Sequence, residues 1–413
     1  MDVEITYGGE AISISVPGQG FLGELRAPAA GKTGVGDNLL MATSEPLGMG
    51  PLHEFAREGE PVLVLVNDAT RPTPTAGMLS RIWEQIGGWD LSFLVATGTH
   101  RDPSEAECRR IFGDLWQQVK AGVHIHDAQD ADGLVPVGST SAGTEVRFNR
   151  VVAEAEKILV ISSVEAHYFA GYTGGRKIFL PGVAGRDTIA QNHRLAMKPE
   201  ARALALKDNP VHRDMDEALD LLDGKSIFSV LAVLDREHNI HHAVAGDIRE
   251  AFSSAARTVD QVVTVPFREK ADIVVAVAAP PLDRDLYQAQ KSVENGQLAL
   301  KGGGILILVS ACSDGVGSEA FMRVLSGKDS PAEVLARLDE DYCFGYHKAA
   351  RLAGSCSRHE IWAVTGVDDS LVETAFMKPF TDIQGALDAA LEAKEGGNVW
   401  ILHDAGATVP RPV

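Results

Sequence analysis

The sequence predicts an α/β protein: two α/β domains with largely parallel sheets facing an interdomain cleft. Three observations carry this. Apolar runs of strand length alternate with helical patterns, as a parallel sheet with crossover helices requires. The chain has 413 residues, 45% of them hydrophobic, which is more than one core of ordinary size accommodates. Unusual polar residues follow the apolar runs directly, at the carboxyl ends where open α/β sheets bind ligands.

Five runs read as buried strands: 61–66 (PVLVLV), 91–96 (LSFLVA), 157–161 (KILVI), 272–277 (DIVVAV) and 304–309 (GILILV). Helical patterns at 75–86, 103–119, 286–300 and 318–325 follow four of them. A further helix is expected at 250–264, and the polar break 265–270 (VPFREK) puts a boundary near 266, giving domains 1–266 and 267–413. Toward the C-terminus the pattern reads as helix 383–394, a turn at Glu395-Gly396-Gly397 and strand 399–403. The Pro-rich tail beyond is expected to fray.

Composition narrows the function. Lys plus Arg total 38 against 57 for Asp plus Glu, a net charge of -19, which repels nucleic acid and anionic membrane surfaces. No apolar run reaches the roughly 18 residues of a membrane span, and the N-terminus lacks a secretory pattern, so a cytoplasmic protein is expected. Cys108, Cys312, Cys343 and Cys356 stand far apart with no Cys-x-x-Cys, so neither a disulfide framework nor a thiolate zinc site is written here.

The chemistry-bearing residues collect after the strands. Asn67-Asp68-Ala69-Thr70-Arg71-Pro72-Thr73-Pro74 follows the first. Its prolines stiffen the backbone around Arg71, whose guanidinium suits a carboxylate or phosphate; Asp68 equally suits a helix cap paired with Arg71. His100 follows the second run in Gly98-Thr99-His100-Arg101, and is either a hydrogen-bonded loop histidine or a proton carrier. The third leads to His167 and then Gly171-Tyr172-Thr173-Gly174-Gly175-Arg176-Lys177. That glycine loop is no Walker A, because Arg176 precedes the lysine and Ile178 replaces the hydroxyl. Its amides still suit one phosphate, and Lys177 suits a charge or a nucleophile.

His193 beside Asn192 could ligate a metal, with no second ligand at helical or strand spacing. His124 with His126, and His241 with His242, read as solvated strand or loop residues. Tyr287-Gln288-Ala289-Gln290-Lys291 reads as a helix start with Tyr287 and Lys291 on one face, suited to a carboxylate or simply exposed.

Together these blocks resemble the lactate racemase family, the nickel-pincer enzymes. The resemblance rests on Asp68 to Pro74, Gly98-Thr99-His100-Arg101, His167 with Ala170-Gly171, Gly174-Gly175-Arg176-Lys177 through Gly185, Asn192-His193 and Tyr287 to Lys291, in the family's order from about residue 60 to 320. It implies an isomerase, a racemase or epimerase of a small 2-hydroxy acid. Residues 1–266 would carry cofactor and catalytic histidines, and 267–413 the residues for the substrate carboxylate. Lys177 would hold a nickel-pincer nucleotide covalently (a pyridinium-3,5-bisthiocarboxylic acid mononucleotide with Ni(II)). His193 would be the protein ligand to nickel, and Asp68, Ala69, Thr70 and Arg71 would border the cofactor.

His100 and His167 would be the acid/base pair for hydride transfer to and from the pyridinium, and Arg71, Tyr287, Gln288 and Lys291 would bind substrate. Histidine suits the task because its unperturbed pKa near ~6.5 serves both directions. Lactate-specific members commonly carry glycine before the lysine, where this chain has Arg176, and a tryptophan in the segment matching 341–351, where it has none. Both departures put lactate in question, and Arg176 or its surroundings are expected to admit a larger or more polar substrate, such as malate or an aldonate. The alternatives are a non-catalytic cofactor- or hydroxy-acid-binding protein, or a simple metal-dependent hydrolase or lyase built on Asp68, His100 and His193.

Overall fold

The computed structural model describes residues 1–28, 35–340 and 345–413. Positions 341–344 of the tryptophan-free segment lie outside the described residues. The chain divides into two units, Ala29–Val262 and a second made of Met1–Pro28 with Val263–Val413. Among the described residues no helix is long and apolar enough to cross a membrane.

The 29–262 unit is built on a six-stranded sheet among the described residues. Its strands lie in the order Ile240–Asp247, Ser226–Leu234, Lys157–Val164, Pro61–Asn67, Asp90–Ala96 and Val123–Ile125. All neighbours are parallel except the edge pair Ile240–Asp247 with Ser226–Leu234. The apolar runs are continuous because both faces are covered. Val62, Val64 and Val66 join a core with Phe93, Val95, Leu159 and Ile161, while Leu63, Leu65, Leu94 and Val160 are buried as well. The helix expected at 75–86 spans Thr75–Ile86. The one expected at 103–119 ends at Phe112, because Gly113 adopts φ +57 and its positive φ turns the chain before Trp116–Val119 resumes.

The second unit holds a wholly parallel six-stranded sheet, again among the described residues. The order is Lys378–Phe380, Glu360–Thr365, Leu300–Ser310, Ala271–Val277, Val399–Leu402 and Phe21–Leu25. The division expected at 266 therefore needs correcting at the N-terminus: residues 1–28 belong with the C-terminal half. Phe21–Leu25 supplies an edge strand beside Val399–Leu402, and the hairpin Asp2–Tyr7 with Glu10–Ser15 packs Val3, Ile5, Ile14 and Val16 against Ile273, Val275 and Leu387. The tail does not fray either. Val409–Pro412 pairs in parallel with Thr264–Phe267, so the first half of the expected polar break, 265–267, lies in a strand.

Because Ile5 is 1% exposed in that core, Ile5→Ala should cost about 2–4 kcal/mol. Hydrogen exchange should accelerate in Ala271–Val277 and Val399–Leu402 and stay at the parent rate in Pro61–Asn67.

Candidate active site

Strand order in the 29–262 sheet reverses beside Pro61–Asn67. The chain runs from that strand to Asp90–Ala96 and Val123–Ile125 on one side, then returns to Lys157–Val164 and Ser226–Leu234 on the other. Successive crossovers therefore leave in opposite directions, and the carboxyl ends of Pro61–Asn67 and Lys157–Val164 border the crevice where such sheets take ligands. The Asp68 and His167 loops begin there.

Asp68 is 5% exposed, and its Oδ2 lies 3.0 Å from His100 Nδ1. Thr70 Oγ1 reaches both carboxylate oxygens, at 2.9 and 3.1 Å, and lies 3.2 Å from the same ring nitrogen. A carboxylate only accepts, so His100 carries a proton on Nδ1 and its neutral form presents a lone pair at Nε2. The backbone of this loop is tied down as well. Arg71 N–H donates to Asp68 O, and Arg110 Nη2 donates to Ala69 O at 3.3 Å. Thr73 Oγ1 bridges Asn67 Oδ1 at 2.9 Å and Ser163 Oγ at 2.7 Å, and Ser163 Oγ donates to Glu165 Oε1 at 2.8 Å. The two strand ends are thus joined by a chain of hydroxyls.

His167 sits on a short hairpin, Ala166–His167 with Gly171–Tyr172. The Ala170 N–H donates to His167 Nδ1 at 3.2 Å, so the neutral ring carries its proton on Nε2. The Phe169 ring stands edge-on between two imidazoles, 4.5 Å from that of His167 and 5.1 Å from that of His193. His193 is buried on the last turn of the helix Arg186–Arg194. Its neighbour Asn192 donates to Asp214 Oδ2 at 2.8 Å, and the same carboxylate accepts from Thr140 and Thr144.

Lys177 is buried in the 3-10 turn Gly175–Ile178. Gly174 enters that turn at φ +70, where an added Cβ would come within 2.4 Å of Ser163 O, so a side chain there is excluded twice over. The Lys177 carbonyl accepts from Gly182 N–H, and the Gly182 carbonyl accepts from Gly98 N–H at 2.9 Å. That backbone relay joins the lysine turn to the loop of His100.

Asp68, Thr70 and His100 are therefore in direct contact, His167 and His193 share Phe169, and Lys177 is tied to the His100 loop. Tyr287, Gln288 and Lys291 lie in the other unit, at the start of the helix Leu286–Gly296 after the strand Ala271–Val277. Asp285 caps that helix by accepting from Gln288 N–H at 2.8 Å. Lys348 Nζ lies 3.6 Å from the centre of the Tyr287 ring and donates to the Tyr287 carbonyl at 2.6 Å. Burial, reinforced by the neighbouring Lys291 charge, holds the Lys348 pKa well below the usual ammonium range.

Two expectations need correction. Arg176 does not line a substrate space: it is 2% exposed, with its guanidinium over the Phe252 ring at 4.2 Å. His126 is not solvated: it is 1% exposed, with Nε2 on Ala184 O at 3.0 Å and Nδ1 on Asn149 Nδ2 at 3.2 Å. Sequence reasoning also passed over Phe169, the Ala170 amide, Ser163, Glu165, Asp285 and Lys348. Glu165, Phe169 and Ala170 stand beside His167 in the polar, ring-rich stretch that follows the third apolar run. Nothing local marked the others.

Residues 7–204 match the family model of the lactate racemase N-terminal domain, and residues 267–409 that of the lactate racemase C-terminal domain. The chain belongs to the lactate racemase family. A lactate racemase of Thermoanaerobacterium thermosaccharolyticum is 29% identical over 403 residues, 94% of each chain. One of Lactiplantibacillus plantarum is 30% identical over 344 residues, 81% of this chain and 80% of the relative. The lactate racemase apoprotein structure from Thermoanaerobacterium thermosaccharolyticum superposes with a TM-score of 0.91 at 27% identity, covering 100% of both chains. A Thermotoga maritima protein shares the fold, with a TM-score of 0.69 at 16% identity over 94% of this chain and 100% of its own.

Behind the lysine turn, His212 stacks on Phe252 with ring centres 6.1 Å apart. Burial, helped by the nearby Arg176 charge, pushes its pKa from 6.5 down to about 3. The unfolded chain takes up this proton near 6.5 and the folded chain only near 3. The stability contributed by neutral His212 is therefore fully present above the higher value and is lost as pH falls toward the lower. Melting temperatures measured between about pH 7 and pH 4 should fall less in His212→Phe, which keeps the ring stack and drops the titration.

Proposed function

We propose that the protein is a racemase or epimerase of a 2-hydroxy acid, using a nickel-pincer nucleotide attached to Lys177. The observation that supports this reading is that a carboxylate-paired histidine, a second histidine sharing Phe169 with buried His193, and a buried lysine on a glycine turn all stand on loops that follow strands of the same sheet. The donor chemistry fits the group. Among the described residues no group of three or more His, Cys, Asp or Glu is placed to hold a metal ion, so the protein alone would not complete the ligand set of a metal on His193. Soft pincer sulfurs and one imidazole suit square-planar Ni(II). Lys177 supplies an amine for covalent attachment, and Asp68, Ala69, Thr70 and Arg71 border the group.

When bound, the pyridinium ring is an electron-poor hydride acceptor that returns what it takes. The protein's own residues handle the proton and the charge. His100, its Nδ1 proton on Asp68, takes the substrate hydroxyl proton at Nε2 for one stereoisomer. His167 serves the hydroxyl of the other, because one imidazole cannot face both hands. Arg71, Tyr287, Gln288 and Lys291 bind the substrate, the two cations opposing its carboxylate within a protein of net charge -19. With Arg176 buried, the ground for a substrate other than lactate is the tryptophan-free segment 341–351.

Protein from a host that makes the pincer nucleotide should carry an adduct by intact mass that Lys177→Ala lacks. His100→Ala and His167→Ala should keep the adduct while racemisation falls roughly 10²- to 10⁴-fold. Turnover by adduct-free protein with a simple divalent metal would overturn the proposal. Rates across lactate, malate, phenyllactate and gluconate should favour one of the last three; preference for lactate would remove the idea of a different substrate and leave the reaction class intact.

A further inference from the structure

Arg176 is a large side chain held in the interior, with no carboxylate in ion-pair contact among the described residues. Its Nη2 donates to Ala170 O at 2.8 Å and Nη1 to Tyr172 O at 3.4 Å, and Nε has no hydrogen-bond partner among the described residues. The positive charge rests on the Phe252 face and on two carbonyl dipoles, with Asp216 acting from a distance. His212 stacks on Phe252 nearby, and Tyr172 Oη donates to Asp260 Oδ1 at 2.5 Å, which steadies the same strand pair. Burial lowers the guanidinium pKa to about 9, so the group stays charged at neutral pH despite the cost of leaving water.

What this ion holds is specific. The residue whose carbonyl it grips, Ala170, is the residue whose N–H donates to His167 Nδ1. Arg176 and Lys177 are also successive residues of a 3-10 turn, where consecutive side chains leave the axis about 120° apart. Anchoring Arg176 against Phe252 helps hold the turn from which Lys177 departs.

We propose that Arg176 is a positioning residue for His167: by holding the Ala170 carbonyl it keeps the Ala170 amide on Nδ1 and thereby sets the neutral ring as the Nε2–H tautomer. The two histidines are then unlike in the resting protein. His100, paired with Asp68, offers a lone pair at Nε2, whereas His167 offers a hydrogen. In either direction of catalysis Nδ1 must carry a proton, since the base needs a lone pair at Nε2 and the acid is the imidazolium, so the Ala170 amide has to leave Nδ1 and the grip of Arg176 governs how readily the resting ring enters the acid/base cycle. The functional consequence rests on the acid/base reading above, while the structural link does not.

The test separates the two. Long-range proton–nitrogen spectra of histidine-labelled, cofactor-free protein, with His167 assigned by His167→Gln, should show Nδ1 as the bare nitrogen in the parent. Arg176→Met should give a mixture of tautomers, and Arg176→Lys should restore part of the parent pattern. Should Arg176→Met fail to fold, Phe252→Leu, which removes the aromatic seat and keeps the ion, should show the same mixture in the same spectrum. In loaded enzyme the kcat of Arg176→Met should fall about tenfold with KM within about twofold, and Arg176→Lys should recover part of it. A parent-like His167 tautomer in folded Arg176→Met, or in Phe252→Leu if the first variant is unfolded, overturns the proposal. A shifted tautomer together with unchanged kcat upholds the link to Ala170 and removes His167 from the acid/base pair.

Discussion

The reversal of strand order beside Pro61–Asn67 is the constraint from which the candidate site follows. In a parallel sheet the carboxyl ends of all strands point one way, and crossovers normally cover the space above neighbouring strands. Where successive crossovers leave in opposite directions, that cover parts and two loops face one opening. Here those loops are the ones beginning at Asp68 and Glu165, and the hydroxyls of Thr73 and Ser163 stitch them together at hydrogen-bond distance. The two strand ends are thus tied together at the floor of the crevice, an arrangement that suits the proposed pair of proton-handling groups.

Much of this was legible in the sequence because parallel strands covered on both faces must be apolar at every position. The runs at 61–66, 91–96 and 157–161 stand out for that reason, and the polar residues after them mark the sheet's carboxyl ends. The first 28 residues were not legible in the same way. Asp2–Tyr7 alternates exposed and buried positions, so it states that one face is covered without stating by which half of the chain. Its partners, Ile273 and Val275, stand some 270 positions away. The tail and the 264–267 segment were misread because Pro266 and Pro410 suggest breaks. At a two-stranded edge, prolines are tolerated wherever no ladder N–H is required.

The site residues divide along the same line. His100, His167, Lys177 and His193 are visible as chemistry placed after strands or on a glycine turn. Their supports are not, because a main-chain amide such as that of Ala170 has no letter of its own and a carboxylate such as Asp214 looks like any other on an amphipathic helix. Arg176 shows the hazard of reading function from adjacency. It stands next to the lysine in sequence, yet on a 3-10 turn a neighbour in sequence faces elsewhere, and this one faces Phe252.

Why a buried arginine should occupy that place follows from the glycines before it. Gly174 and Gly175 both sit at positive φ, so they allow the tight turn and at the same time leave the unfolded loop with more freedom to lose. Something must hold the turn without occupying the crevice. A lysine would bring one compact, strongly hydrated charge, whereas a guanidinium is planar, more weakly hydrated and forked, so it can lie flat on Phe252 while its two ends reach the carbonyls of Ala170 and Tyr172. The desolvation that lowers its pKa to about 9 marks the cost of placing an ion there. The aromatic face and two main-chain acceptors offset it, and the loop that carries both His167 and Lys177 is ordered around the result.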